Sequence, residues 1–190
     1  MVSRPRISCL VNNYNYGPYV TEAVDSARAQ TVPFDEILVV DDGSTDDSVS
    51  RLSARYAGDP VVRILAKANG GQLSAFNEGF LHSTGDLVFF LDADDLYEPT
   101  HVEQMAAVYV ERPHTDFVFC GYRLFGQQEA VRTWLDTDQS LGFSLVYSLH
   151  FMHWVGAPTS CLSLRRRTLE KILPLPMLED WRTRADDCLV

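Results

Sequence analysis

The first half of the chain alternates short apolar runs with polar segments, and most of the runs end in acids or amides. Residues 7–11 are Ile-Ser-Cys-Leu-Val and pass into Asn12-Asn13-Tyr14-Asn15-Tyr16-Gly17-Pro18, a loop signal. Val20, Ala23, Val24 and Ala27 then recur at helical spacing, with Glu22, Asp25 and Arg28 on the opposite face. Residues 36–40 read as a second strand that stops in Asp41-Asp42-Gly43-Ser44. Ser44 is expected to cap the next helix, running to about residue 56, with Asp46 and Asp47 at its positive end. Residues 61–66 and 87–91 read as strands three and four, and residues 74–82 as the short helix between them.

Strands alternating with helices at these lengths predict an α/β fold with a mainly parallel sheet. Ligands in open sheets of this kind bind beyond the carboxyl ends of the strands. The 12–16, 41–44 and 92–95 loops are therefore expected to meet at one crevice. The second half is less regular. It predicts a helix over 100–112, a strand over 117–125, and a loop or strand pair over 127–140. An aromatic segment (Phe143, Tyr147, Phe151, Trp154) follows, then a strand over 160–164 and a short helix over 168–173 stopped by Pro174 and Pro176. One domain is expected over 1–190, with nucleotide-type motifs in residues 1–99 and a more variable half at 100–190. The break after Asp187-Cys188-Leu189-Val190 reads as the middle of an element, so a C-terminal truncation is expected.

Charge narrows the classes. With 26 acids against 16 bases the net charge is -10, which opposes nucleic-acid binding through a basic face. An anionic substrate must then be held locally, by a metal or by backbone N–H groups. Cys9, Cys120, Cys161 and Cys188 lack metal-ligand spacing and read as buried free thiols of a reducing compartment. No leader precedes Ile7 and no run approaches the ~20 apolar residues of a membrane span. A cytoplasmic protein is expected, with peripheral association at the cytoplasmic membrane face left open for the full-length protein.

The sharpest chemistry lies at residues 88–95, Val-Phe-Phe-Leu-Asp-Ala-Asp-Asp. A buried strand ending in three acids is costly unless something positive binds there. Alternation along the strand is expected to put Asp92 and Asp94 on one face, about 6–7 Å apart. Mg²⁺ and Mn²⁺ take oxygen ligands, and Mg²⁺ is typically held by one or two carboxylates plus substrate phosphates.

Five segments in order resemble the family 2 nucleotide-sugar glycosyltransferases with the GT-A fold. They are Ile7-Ser-Cys-Leu-Val-Asn-Asn-Tyr-Asn15, Ser26-Ala-Arg-Ala-Gln-Thr31, Ile37-Leu-Val-Val-Asp-Asp-Gly-Ser-Thr-Asp46, Asn69-Gly-Gly-Gln-Leu-Ser-Ala-Phe-Asn-Glu-Gly79 and the strand from Gly85 to Asp95 with its DxD acids. The DxD alone is a weak signal; combined with Val-Asp-Asp-Gly-Ser-Thr-Asp it is strong. The resemblance implies an inverting, metal-dependent transfer from a nucleoside-diphosphate sugar, with a UDP-sugar favoured. The acceptor hydroxyl would belong to a glycan or a lipid-linked intermediate of cell-surface polysaccharide. It further implies Tyr14 stacking on the base beside Asn12, Asp42 accepting from the base, Asn69 on the nucleotide side, Asp92 toward the ribose, and Asp94 on Mn²⁺ or Mg²⁺. The catalytic base would come from a late acid pair. Glu179-Asp180 matches the family's letters and Asp186-Asp187 its spacing; Asp187 is preferred, with Asp180 as the alternative.

Blander readings stand beside these. Asp41 is read as a turn former and Asp95 as support for its turn. Asn12 as a turn residue and Tyr14 as a core aromatic stay open, as do Asn69, Gly70 and Gly71 as a helix-leading turn and Asn77 and Gly79 as packing residues. Lys67 reads as a solvated strand end, His150 and His153 as ordinary packing, and Arg165-Arg166-Arg167 as a solvated helix start. Three rivals remain. A haloacid-dehalogenase-like phosphatase fits the acid-tipped strand but leaves the Asp-Asp-Gly-Ser run unexplained. A nucleotidyltransferase needs a Gly-rich phosphate loop that the chain lacks. The third is a non-catalytic sugar-nucleotide-binding remnant.

Overall fold

The computed structural model describes residues 4–126, 129–133, 137–142, 157–176 and 182–189, with only the backbone at 187 and 188. Four parallel strands form the centre of a six-stranded sheet: β1 (Ile7–Asn13), β2 (Glu36–Asp41), β3 (Val62–Ala66) and β4 (Leu87–Asp92). Two antiparallel strands, β8 (Leu162–Arg165) and β5 (Phe117–Phe119), extend it past β4, giving the order β3-β2-β1-β4-β8-β5. A separate hairpin pairs β6 (Tyr122–Leu124) with β7 (Ala130–Arg132).

Both faces of the central strands are buried, which is why they read as continuous apolar runs. Alternation splits them cleanly. Cys9, Val11, Ile37, Val39, Phe89 and Leu91 face one core, shared with α1 (Gly17–Arg28), α2 (Ser48–Tyr56) and α4 (His101–Glu111). Leu10, Leu38, Val88 and Phe90 face the other, with α3 (Gln72–His82) and α5 (Arg166–Ile172). Ala185 and Leu189 are buried in that second core, so the late turn at Ala185–Cys188, a 3-10 turn, is anchored by apolar contact. Gly79 packs against Leu10 and Val40, and the Asn77 side chain exchanges two hydrogen bonds with the Leu175 backbone. Of the readings left open for them, these contacts favour packing.

Several local expectations change. Ser44 is not an N-cap: α2 begins at Ser48, and the Ser44 hydroxyl accepts from the Asn15 N–H at 2.9 Å. Asp46 accepts from the Ser48 N–H and the Gly17 N–H, both at 2.9 Å, and so joins the starts of α1 and α2. The strand expected over 117–125 is two strands, β5 and β6, interrupted at Cys120-Gly121, and β6 turns away to pair with β7. Arg165 and Arg166 are staples rather than a solvated start, whereas Arg167 is exposed as expected. Arg165 donates to the Thr115 and Tyr109 carbonyls and lies 4.9 Å from the Tyr109 ring centroid. Arg166 donates to the Gly85 carbonyl and the Ser83 hydroxyl and covers Phe80, while Arg167 pairs with Asp116. Arg165 and Arg166 use a fixed fork of donors on carbonyls that a strand edge or helix end leaves open.

Cys9, Cys120 and Cys161 are free thiols; Cys9 and Cys161 are buried and Cys120 is half-buried. The side chain of Cys188, and all of Phe143, Tyr147, Phe151, Trp154, His150 and His153, lie outside the described residues. Among the described residues no helix is long and apolar enough to cross a membrane.

Candidate functional site

The strand order changes direction at β1, with β2 and β3 on one side and β4 on the other. This is a topological switch point, where the loops leaving two neighbouring strands diverge and open a crevice at their carboxyl ends. Asn12 and Asp92 face each other across it, paired in the β1–β4 register, and the Asn12 amide donates to the Asp92 carboxylate. The 12–16, 41–44 and 92–95 loops meet here as expected.

On the β2 side Asp42 is 4% exposed. Its carboxylate accepts from Lys67 Nζ at 2.6 Å, from the Gly70 N–H at 2.9 Å and from the Gly71 N–H at 2.7 Å. The two glycine N–H groups precede α3, where a helix offers unpaired donors and a partial positive charge. A carboxylate has about four acceptor positions, so roughly one on Asp42 is left for a further donor. Lys67 is therefore not a solvated strand end; its ammonium is held by Asp42 and by the Ala68 carbonyl, both at 2.6 Å. Asp41 forms the turn, accepting from the Ser44 N–H and from the Asn13 amide. Asn69 donates to the Asp42 carbonyl and accepts from Arg182 Nη2 at 2.6 Å. Tyr14 is 47% exposed, so it is not a core aromatic.

The acid cluster departs from simple alternation. β4 ends at Asp92, and the chain turns so that the Asp95 N–H donates to the Asp92 carbonyl at 3.1 Å. Asp94 sits exposed in that turn rather than one strand step beyond Asp92. Ser160 braces the turn by donating to Asp95 Oδ2 at 2.6 Å while accepting from the Asp92 N–H at 2.9 Å. Burial, then the charges of Asp95, Asp94 and Asp186, push the Asp92 carboxyl up to about 7, against a hydrogen bond from Thr159. Burial likewise raises Asp95, opposed by Ser160 and helped by Asp94. The Tyr16 phenol faces Asp94, whose charge raises it above its ordinary value, with burial and Asp92 adding.

The influence of Asp186 on Asp92 brings the late turn to the acid cluster. Asp187 lies in this turn, at Ala185–Cys188; its side chain, and all of Glu179 and Asp180, lie outside the described residues. Among the described residues no group of three or more His, Cys, Asp or Glu side chains could by itself hold a metal ion. The oxygen donors at this crevice, Asp92, Asp94 and Asp95, are of the type that hard cations such as Mg²⁺ and Mn²⁺ take.

Sequence reasoning missed Tyr16, Gln72, Thr159 and Ser160. Tyr16 lies inside a loop that was singled out, so its position carried a signal. The other three are ordinary polar residues whose partners lie 20 to 113 residues away; Gln72 falls within the Asn69–Gly79 segment that carries part of the resemblance, and nothing in the local pattern marks Thr159 and Ser160.

Comparison with known proteins adds to this geometry. A relative from Nostoc sp. described as an uncharacterized glycosyltransferase is 34% identical over 97% of the chain, which spans 58% of that protein. Chondroitin synthase of Pasteurella multocida is 39% identical over 52% of the chain and 10% of its own length. The structure of S. aureus TarS 1-349 in complex with UDP superposes with a TM-score of 0.75 at 23% identity, over 97% of this chain and 53% of that one. The mannosyltransferase PcManGT from Pyrobaculum calidifontis, in complex with GDP-Man and Mn2+, gives 0.69 at 22% identity over 98% and 51%. At those identities the two structures speak to the fold, which is the expected GT-A type. The family profile described as Glycosyl transferase family 2 matches residues 8–173, and with it this chain belongs to glycosyl transferase family 2.

Proposed function

We propose that the chain carries the donor site of an inverting, metal-dependent glycosyltransferase that moves a sugar from a nucleoside diphosphate, with UDP as the favoured carrier, to an acceptor hydroxyl. One observation carries the reading: Asp92, Asp94 and Asp95 share one turn at the carboxyl end of β4 in the switch-point crevice, where the charges of Asp95, Asp94 and Asp186 add to burial in raising the Asp92 carboxyl. Such a cluster favours a bound cation, and a diphosphate supplies the remaining oxygen ligands.

In this reading Tyr14 stacks on the base and Asp42 accepts the base N–H at its remaining position. Asn12 holds Asp92 toward the ribose, and Asp94 holds the metal, with Asn69 stabilising the Asp42 loop. An ion held there would supply positive charge to offset that developing on the leaving diphosphate. Asp187 takes the proton of the acceptor hydroxyl as that oxygen attacks the anomeric carbon from the face opposite the diphosphate. Asp180 is the alternative base. Residues 1–99 would then serve the donor and 100–190 the acceptor, with a glycan or lipid-linked acceptor at the cytoplasmic membrane face. UDP, UDP-GlcNAc and GDP-Man stand in the complexes of neighbouring folds, which supports a nucleotide-sugar donor. Neither the family match nor these neighbours lend support to a phosphatase.

The test is a panel of UDP- and GDP-sugars scored by thermal shift with and without Mn²⁺. A shift that requires both a nucleotide sugar and the cation is expected, and it should vanish in Asp94→Ala. Absence of any cation-dependent shift across the panel would sink the donor-site reading. Transfer undiminished in Asp187→Asn would remove that residue as the base.

A further inference from the structure

Gln72 opens α3 and is half-buried at the centre of the crevice. It joins three segments that are far apart in sequence. Its side-chain Oε1 accepts from the Ala185 N–H at 2.7 Å. Its Nε2 donates to Thr159 Oγ1 at 3.2 Å and, more weakly, to Asp92 Oδ1 at 3.4 Å. Its backbone N–H donates to the Arg182 carbonyl at 2.9 Å. The amide orientation is fixed by chemistry. A main-chain N–H can only donate, so the oxygen must face Ala185 and the NH₂ group the acidic side.

Other contacts hold the same segment against α3. Arg182 reaches Asn69, and its Cα lies 2.5 Å from where a Cβ on Gly71 would stand. Ala185 and Leu189 are buried in the core below. Of these contacts, the Gln72 side chain is the one that touches both the late turn and Asp92.

We propose that Gln72 is a positioning residue that sets the distance between the donor-side acid Asp92 and the late turn at Ala185–Cys188 carrying Asp187. The proposal rests on the donor and base assignments made above. Its physical content is that one amide spans the gap between the two halves of the reaction. Asn would fall one methylene short, Met would fill the space without bonding, and Glu would keep the acceptor for Ala185 while bringing a second charge beside Asp92. Misplacement of a reacting group by about 1 Å can cost about 100-fold in rate, so the tie should be visible in kcat.

The experiment compares Q72M and Q72E in the purified protein. It measures amide hydrogen exchange at Ala185, and kcat and donor KM with a UDP-sugar and Mn²⁺. In Q72M, Ala185 exchange should accelerate about tenfold or more, kcat should fall about tenfold or more, and donor KM should stay within about threefold. Q72E should restore Ala185 protection and recover most of the lost kcat, while donor KM rises because its charge opposes the diphosphate. Unchanged Ala185 protection or unchanged kcat in folded Q72M would overturn the proposal, as would a kcat in Q72E as low as in Q72M. A fall in donor affinity with kcat intact would make Gln72 a binding residue, which also overturns it. Transfer retained in Asp92→Asn would instead remove the donor assignment, and the exchange result would still decide whether Gln72 holds the turn.

Discussion

Asp92 shows how one side chain can weaken the fold for the sake of the site. Its carboxyl stands at about 7, raised first by burial and then by Asp95, Asp94 and Asp186. In the unfolded chain it would stand at about 4. Between those values the folded chain keeps a proton that the unfolded chain has released, so stability falls as pH rises, by at most about 1.4 kcal/mol per unit. The penalty is complete above pH about 7. Asp92→Asn removes the titration and keeps an oxygen for Asn12 and Gln72. In metal-free buffer its Tm should match the parent near pH 4–5 and exceed it at pH 8, while transfer drops about 100-fold or more. A Tm at pH 8 no higher than the parent's would refute this account. Lys67 makes the opposite case. Its ammonium is the one charged donor on the buried Asp42 carboxylate among the described contacts. Lys67→Met should cost about 2 kcal/mol in urea unfolding, and it should weaken nucleotide binding by loosening Asp42.

At the scale of the element, the site depends on how α3 begins. Gly71 adopts φ +86, its N–H reaches Asp42, and a Cβ there would collide with the Arg182 backbone. Gly71→Ala should therefore cost about 1–3 kcal/mol from backbone strain, and it should release the 182–189 segment, read as faster amide exchange at Gln72 and Ala185. Much at this scale was legible beforehand. The four central strands and their helices follow from period-2 and period-3.6 patterns, which are local properties of the chain. What was misread has a common cause. Ser44, Lys67, Arg165 and Arg166 are polar residues whose partners come from other elements: Asn13 and Asn15 for Ser44, Asp42 for Lys67, and Thr115 and Gly85 for the arginines. A local pattern assigns such residues to solvent or to the nearest helix because it has no view of those partners.

For the whole molecule, the end of the sheet opposite the crevice carries stability without chemistry. Glu36 is buried at the start of β2 and accepts from the Ser8 hydroxyl at 2.6 Å and from the Thr84 N–H at 2.5 Å. Burial works to raise its carboxyl, but the Ser8 and Thr84 hydrogen bonds outweigh it and hold the carboxyl below its usual range. A depressed acid stabilises the fold above its ordinary value of about 4.3, and that contribution is lost as pH falls through the folded value. Glu36→Gln should cost about 1–3 kcal/mol at pH 7, with a smaller difference from the parent at acid pH. Donor binding per folded molecule should be unaltered, since Glu36 and the acid cluster lie at opposite ends of their strands. Loss of donor binding in step with stability would contradict that separation.

The sequence by itself determined the order of strands and helices, the mainly parallel sheet, and the acids and amides at the ends of β1, β2 and β4. Each of these is written in residues adjacent along the chain, where periodicity, turn residues and charge act directly. Only the tertiary structure decided that β1 and β4 are neighbours across a switch point, which sets Asn12 against Asp92. It also decided that Asp94 lies in a turn and that Lys67 serves Asp42. The late turn reaches the acid cluster through Gln72, whose bond to Ala185 joins positions 113 apart. Contacts of that length arise from the packing of Ala185 and Leu189 into the core, and no short window of sequence contains both ends of them.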